Sequence, residues 1–377
     1  MVAVAVSLVL VMASFTLYES SGQTAHGTTL VVYTYSSFFG GSCGGSSAAN
    51  LSMLLHEFEQ NYSVNVELVC PSGNLVSALQ SPSDYGLPPA DVVVGLDEIT
   101  APEAIALGCL LPYAPPALTA IPPWLVTELG PLDSGIPYIV PYEYGFLGID
   151  YTTAFLEETH GAVANATFPE LVNNSSWVHQ LVTENPLFDI TGEEFLAWQI
   201  EYYETVLHET NWQGFWQSFF AEHPPAPAPD WSTAFSLFNS SAGGDQMVVS
   251  YSTDPAYFAA YGEAGSLNST VSWWNGTAYG WRTIYGAGIV QGSRHVALAR
   301  EFENWILNGT FQSYLPENEW EYPANETVPL PGVFAAAIDP ASVVALNNAT
   351  TPMAVASNLL EPGGWLDTWQ AIAGAEG

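Results

Sequence analysis

Strand-like and helix-like hydrophobic patterns alternate along the chain. "TTLVVYTY" (28–35) is a short apolar run that predicts a buried strand. "AANLSMLLHEFEQNYS" (48–63) carries apolar residues at helical spacing after a Ser/Asn-rich start, and "VNVELVC" (64–70) returns to strand. "ADVVVGL" (90–96) has the continuous apolar character of a strand covered on both faces. This predicts a doubly wound α/β unit with ligands at the carboxyl ends of its strands, where Tyr33, Tyr35, Ser72, Gly73 and Asp97 fall.

A second unit follows. "GIPYIVPYEYGFLGIDYT" (135–152) is extended, "GEEFLAWQIEYYETVLHETNWQGFWQSFFAE" (192–222) is helical, and after the Pro/Ala loop 223–230 comes the strand "DQMVVSY" (245–251). "RTIYGAGIVQGS" (282–293) is extended again, and "HVALAREFENWILNGTFQSYL" (295–315) is an amphipathic helix. Two long extended segments, around Pro141 and Gly286, bracket an inserted α/β unit, as two strands crossing between lobes would. At 377 residues the chain is long enough for two lobes. The segment "VVSYSTDPAY" (248–257) ends a strand in hydroxyls, a carboxylate and two tyrosines, the make-up of a pocket rim.

Charge changes this picture. There are 38 acidic residues against three basic ones, Arg282, Arg294 and Arg300, and a formal charge of −35 at pH 7. The acidic share is ordinary and the cations are missing, which fits an acidic exterior: Asp and Glu are largely neutral below about pH 4, whereas every Lys would stay charged. Binding to a phosphate backbone is excluded, so no nucleic-acid partner is expected. The apolar leader "MVAVAVSLVLVMASFTLY" and the polar tether after it, residues 1–27, predict export, as a signal peptide or a membrane anchor. Asn-x-Ser/Thr recurs at Asn50, Asn61, Asn165, Asn173, Asn174, Asn239, Asn268, Asn275, Asn308, Asn325 and Asn348. The sites read either as glycosylation acceptors or as polar surface in a lysine-free chain. Cys43 and Cys70 follow the first two strands and either pair or stay as buried thiols; Cys109 is left over.

In order and spacing, "LVVYTYSSF", "ADVVVGLD", "VPYEYGFLGIDY", "DWSTAFSLF", "VVSYSTDPAY" and "NEWEYP" resemble the bacterial periplasmic thiamine-binding proteins from about Leu30 to Pro323. The resemblance implies an α/β, two-lobed type II periplasmic-binding fold, each lobe a sheet flanked by helices, with the ligand cleft between the lobes. The expected boundaries are 28–139 with 285–377 for one lobe and 140–284 for the other. It implies the substrate-binding component of an ABC importer, with a permease partner and thiamine or a phosphorylated thiamine as ligand. No cofactor and no catalysis are expected. The matched ligand contacts are Tyr35, Ser72, Gly73, Asp189, Ile190, Trp231, Tyr251, Ser252, Thr253, Asp254, Tyr257 and Trp320.

The residue types suit a flat cationic heterocycle: rings of Trp231, Tyr251 and Tyr257 stack on it, at about 0.5–2 kcal/mol each, and Ser252 and Thr253 bond its polar edge. A bound amino group is expected to partner the Asp254 carboxylate. The chain departs from the family at Ser36 and Ser72, where the family carries acids, and in the Gly-rich stretch 40–45, where it carries a Trp. For single residues the plainer expectations are that Asp189 caps a helix, Trp231 and Trp320 staple loops, and Tyr202 and Tyr203 pack inside a helix. Signatures of serine hydrolases, P-loop enzymes, HExxH metalloproteases and Rossmann dehydrogenases are absent from the sequence. A two-carboxylate glycosidase is the enzyme alternative, and a polyamine, iron or sugar is the alternative cargo.

Overall fold

The computed structural model describes residues 27–41, 49–222, 224–238, 244–348 and 352–375. The leader, Cys43 and Asn239 lie outside them. A ten-stranded mixed sheet forms the backbone of the molecule. Its strands are β1 (Thr29–Tyr33), β2 (Asn65–Val69), β3 (Val92–Leu96), β4 (Leu110–Leu111), β5 (Val140–Thr152), β6 (Leu181–Val182), β7 (Met247–Tyr251), β8 (Leu267–Thr270), β9 (Arg282–Val290) and β10 (Tyr322–Pro323). The order is β2-β1-β3-β9-β5-β7-β6, with β8 and β10 also on β5 and β4 on β9.

β5 and β9 cross from one half to the other. β9 lies antiparallel to β3 through Gly286–Ile289 and to β5 through Arg282–Ala287, with register breaks at Gly286. The second half of β5, from Leu147 to Tyr151, pairs antiparallel with β7. The two extended segments foreseen around Pro141 and Gly286 therefore run side by side at the seam. β5 is buried on both faces from Val140 to Tyr151. It cannot alternate polar and apolar as a half-exposed strand does, so the acids it carries, Glu143 and Asp150, are forced into the interior.

Two cores sit on either side. One gathers residues mainly from Leu30 to Tyr144 and from Ile284 to Phe334. The other runs mainly from Phe146 to Trp281 and takes in the tail from Val343 to Trp369. Val343–Ala345 pairs parallel with Thr277–Gly280, and the Trp369 ring meets Trp216 edge-on at 5.8 Å, so the end of the chain packs on the second half.

The helices named below are α1 (Ala49–Tyr62), α2 (Leu75–Gln80), α3 (Thr100–Ala106), α4 (Ile190–Glu201), α5 (Gln213–Ala221), α6 (Trp231–Phe238), α7 (Asp254–Ala260) and α8 (Val296–Ile306). α1 buries Leu51, Leu54 and Phe58 at the three- and four-residue spacing of one helix face. The helical stretch 192–222 is not continuous. After α4 a π-helical turn covers Tyr202–Leu207, and His208 at φ 57° ends it in the left-handed region before α5 begins. Tyr202 and Tyr203 are buried there. Cys70 is disulfide-bonded and Cys109 is a buried free thiol.

Candidate functional site

The segment from Ser250 to Tyr257 passes from β7 into α7 at the seam between the halves, and most of the expected contacts gather around it. Asp189 is the N-cap of α4: its Oδ1 accepts from Thr191 N–H at 2.9 Å. Its Oδ2 accepts from Trp231 N–H at 3.2 Å, which ties the start of α6 to the start of α4. The capping expectation for Asp189 is met, and the cap also places Trp231. Ile190, the next residue, is half-buried at the first helical position.

The Trp231 indole lies 5.1 Å from Phe235 in a near-parallel stack and 6.4 Å from Tyr251. Its Nε1–H donates to Ser250 Oγ at 2.9 Å, and the Ser250 hydroxyl donates to Asp254 Oδ2. Asp254 also accepts from Tyr251 N–H at 3.4 Å. Asp254 thus has partners of its own, which replaces the expectation that a ligand amino group must satisfy it.

From Tyr251 the cluster continues across the seam. Its hydroxyl lies 3.3 Å from Thr191 Oγ1 and 2.9 Å from the Tyr285 hydroxyl on β9. Tyr285 faces Tyr35 with ring centroids 5.9 Å apart. Tyr35 follows β1. Its hydroxyl lies 3.2 Å from Tyr142 Oη and from Glu143 Oε1, and donates to Glu319 Oε2 at 2.8 Å. Glu319 also accepts from Phe39 N–H. Gly95, at φ 101°, leaves room for the Tyr35 ring, since a Cβ there would run into it.

The late turn closes the other side. Trp320 sits at φ 61°, a strained position for a tryptophan, and meets Tyr257 edge-on at 5.3 Å. Tyr261 adds a third ring, 4.8 Å from Tyr257 and 6.2 Å from Trp320. A Cβ at Gly145 of β5 would collide with the carboxylate of Glu321. Ser252 and Thr253 are fully buried beside it. Ser72 and Gly73 stand exposed on the turn after β2 and are the part of the expected set that this bonded cluster does not include.

The electrostatics follow from burial without cations. Burial, and then the charge of Glu319, holds the Glu143 carboxyl far above the usual range; burial pushes Glu319 up to about 8. Burial and the neighbouring Asp97 push Glu98 up to about 8, and burial with Glu98 raises Glu194 on α4. Glu98 accepts from Trp281 Nε1–H at 2.6 Å and Ile284 N–H at 3.0 Å, which ties the β3–α3 turn to β9. Burial and Asp254 raise Asp150 likewise.

Among the described residues no set of three or more His, Cys, Asp and Glu side chains is placed to hold a metal ion. Glu143, Glu319, Tyr142, Tyr285, Ser250, Asp150, Glu194 and Glu321 escaped the reading of the sequence. The available signal was an acid inside an apolar run, as in "VPYEYG", "GIDY" and "NEWEYP". Two surface hollows, of ≈ 640 and ≈ 480 Å³, lie elsewhere, one against α5 and the tail, the other against the π turn.

No protein-family model matches the chain. The curated thiamine-binding periplasmic protein of Brucella suis is 26% identical over 344 residues, 91% of each chain. A solved periplasmic thiamin binding protein superposes with a TM-score of 0.72 at 23% identity, over 93% of this chain and 98% of that one. The periplasmic binding protein AfuA from Actinobacillus pleuropneumoniae, solved with fructose-6-phosphate, follows with a TM-score of 0.67 at 15% identity, over 93% and 97%. The fold is that of the two-lobed periplasmic binding proteins.

Proposed function

We propose that this chain is the extracytoplasmic substrate-binding component of an ABC importer, capturing thiamine or a close derivative between its lobes and releasing it unchanged to a permease. Its similarity to thiamine-binding periplasmic proteins along nine-tenths of its length supports the reading. The observation that carries it is the seam itself: Trp231, Tyr251, Tyr285 and Tyr35, from four separate segments, form one connected aromatic wall. A flat heteroaromatic cation gains stacking and cation–π attraction there. The ligand contacts are the twelve residues named from the resemblance, with Ser72 and Gly73 reaching the ligand from the opposite lobe.

The lobe boundaries, 28–139 with 285–377 against 140–284, belong to this proposal, with the tail from Val343 assigned to the second lobe because its side chains pack there. So do export by residues 1–27, as a cleaved signal or a membrane anchor, glycosylation at the Asn-x-Ser/Thr sites, and life in acid. Mass spectrometry of the ligand that co-purifies with the native protein tests the function. Calorimetry with thiamine and its phosphates near pH 4 is expected to saturate at one site per chain. Saturation by a polyamine or sugar alone, with no heat from thiamine, overturns the cargo; turnover of an oligosaccharide overturns the non-enzymatic reading.

A further inference from the structure

We infer that Tyr261 is a positioning residue for the cleft: its ring holds Tyr257 of α7 and Trp320 of the late turn together across the seam and so slows the escape of bound ligand. The consequence for ligand rests on Tyr257 and Trp320 being ligand contacts, as proposed above; the ring cluster itself stands on geometry. Tyr257 and Tyr261 are four residues apart at the end of α7, so they share one face of the helix, with ring centroids 4.8 Å apart. Gly262, at φ 87°, takes the left-handed position just beyond, and Glu263 N–H donates to the Phe258 carbonyl at 2.9 Å. That closure fixes the backbone of Tyr261. α7 lies on the seam, with Ala256 packed into the first core and Phe258 packed with Val182, Val248 and Leu267 of β6, β7 and β8.

Trp320 comes from the other side and packs against the first core. Glu319 N–H and Trp320 N–H both donate to the Leu315 carbonyl, at 2.8 and 3.3 Å, and Glu319 in turn accepts from the Tyr35 hydroxyl and from Phe39 N–H. The turn is thereby anchored to the Tyr35 wall, and this anchoring holds Trp320 at its left-handed φ. The indole meets Tyr257 at 5.3 Å and Tyr261 at 6.2 Å, so each of the three rings touches the other two. Tyr261 is 69% exposed, far from what a ring kept for core packing shows, and its ring contacts among the described residues are with the two rings assigned to the ligand. Without it, the edge-on pair of Tyr257 and Trp320 is the ring contact left between α7 and the turn. A cleft held less firmly closed loses ligand faster, while the encounter that fills it is little changed.

The test measures thiamine association and dissociation by stopped-flow tryptophan fluorescence on the full chain. Tyr261→Ala is expected to speed dissociation roughly tenfold, the size of one or two aromatic contacts, and to leave association within about twofold. The melting temperature of the ligand-free protein is expected to stay nearly unchanged, as for an exposed site. Tyr261→Phe, which keeps the ring, is expected to match the native rates. In a Trp320→Ala background the effect of Tyr261→Ala is expected to shrink to less than about threefold, because the ring it acts through is gone. An unchanged dissociation rate in Tyr261→Ala, a Phe variant that behaves like the Ala variant, or the full effect persisting without Trp320 overturns the proposal. A large fall in melting temperature also overturns it, by marking the ring as packing. Nitrogen–proton NMR of the ligand-free chain reads the contact directly: the Trp320 indole N–H, assigned by its loss in Trp320→Phe, is expected to shift in Tyr261→Ala and to keep its place in Tyr261→Phe. An indole resonance unmoved by Tyr261→Ala overturns the proposal as well. Failure of thiamine to bind the native protein overturns the ligand reading instead, and the indole resonance then decides the positioning contact.

Discussion

Trp231 joins packing and recognition in one side chain. Trp231→Ala is expected to weaken thiamine binding by roughly 1–3 kcal/mol through lost stacking and burial, as measured by calorimetry; an unchanged affinity would remove the indole from the site. The opposite wall depends on a missing side chain. Gly95 has φ 101° and lies under the Tyr35 ring, so Gly95→Ala adds backbone strain and a collision together. A loss of about 1–3 kcal/mol in urea unfolding is expected, with weaker ligand binding because Tyr35 is displaced. Neither the strain at Trp320 nor the clearance at Gly95 has a sequence signature, because both arise from where another segment comes to rest.

At the scale of elements, local chemistry was legible and continuity was not. The strands β1, β2, β3, β5, β7 and β9 all lie inside runs whose apolar pattern marks them. The stretch 192–222 keeps helical periodicity throughout, yet breaks at His208, because Tyr202 and Tyr203 turn inward and the chain reverses to bring Phe215 and Trp216 onto the same core. The cap at Asp189 could be read from "DITGEE", but its second bond, to the backbone of Trp231 forty-two residues on, could not. Asp189→Ala is therefore expected to cost about 1 kcal/mol or slightly more in thermal unfolding and also to loosen ligand binding, whereas Asp189→Asn keeps one oxygen to accept from Thr191 N–H, at the expense of the bond from Trp231 N–H, and is expected to cost less stability. Equal costs for the two variants would argue against capping.

The whole molecule replaces salt bridges with neutral carboxyls. Among the described residues the ion pairs are Arg282 with Glu128 and His295 with Asp91. Most shifted acids lie above their ordinary values: Glu98 and Glu319 reach about 8 through burial, and burial holds Glu143, Asp150 and Glu194 well above the usual carboxyl range. The folded chain therefore keeps protons that the unfolded chain would release. Their contribution is complete below about pH 4 and is lost as pH climbs through the folded values. Asp91 runs the other way: burial raises it, but bonds from Ser293, Val31 N–H and His295 hold it below the ordinary range, so it favours higher pH. The raised group is larger, and the melting temperature by calorimetry is expected to be highest near pH 4 and to fall toward pH 8; a rise over that interval would refute the neutral-carboxyl account.

Still at this scale, the sequence by itself determined the alternation of strands and helices, the two crossing segments, the scarcity of cations and the resemblance that implied the fold, because these depend on local periodicity and composition. Only the tertiary structure decided that Glu143, Asp150 and Glu194 are buried close to other acids, that Asp254 is satisfied from within, and that the tail packs on the second core. The physical reason is that burial and the approach of one carboxyl group to another belong to pairs of groups far apart in the chain. Asp150 and Asp254, or Glu98 and Glu194, acquire their chemistry when a doubly covered strand or a docked turn excludes water from both at once.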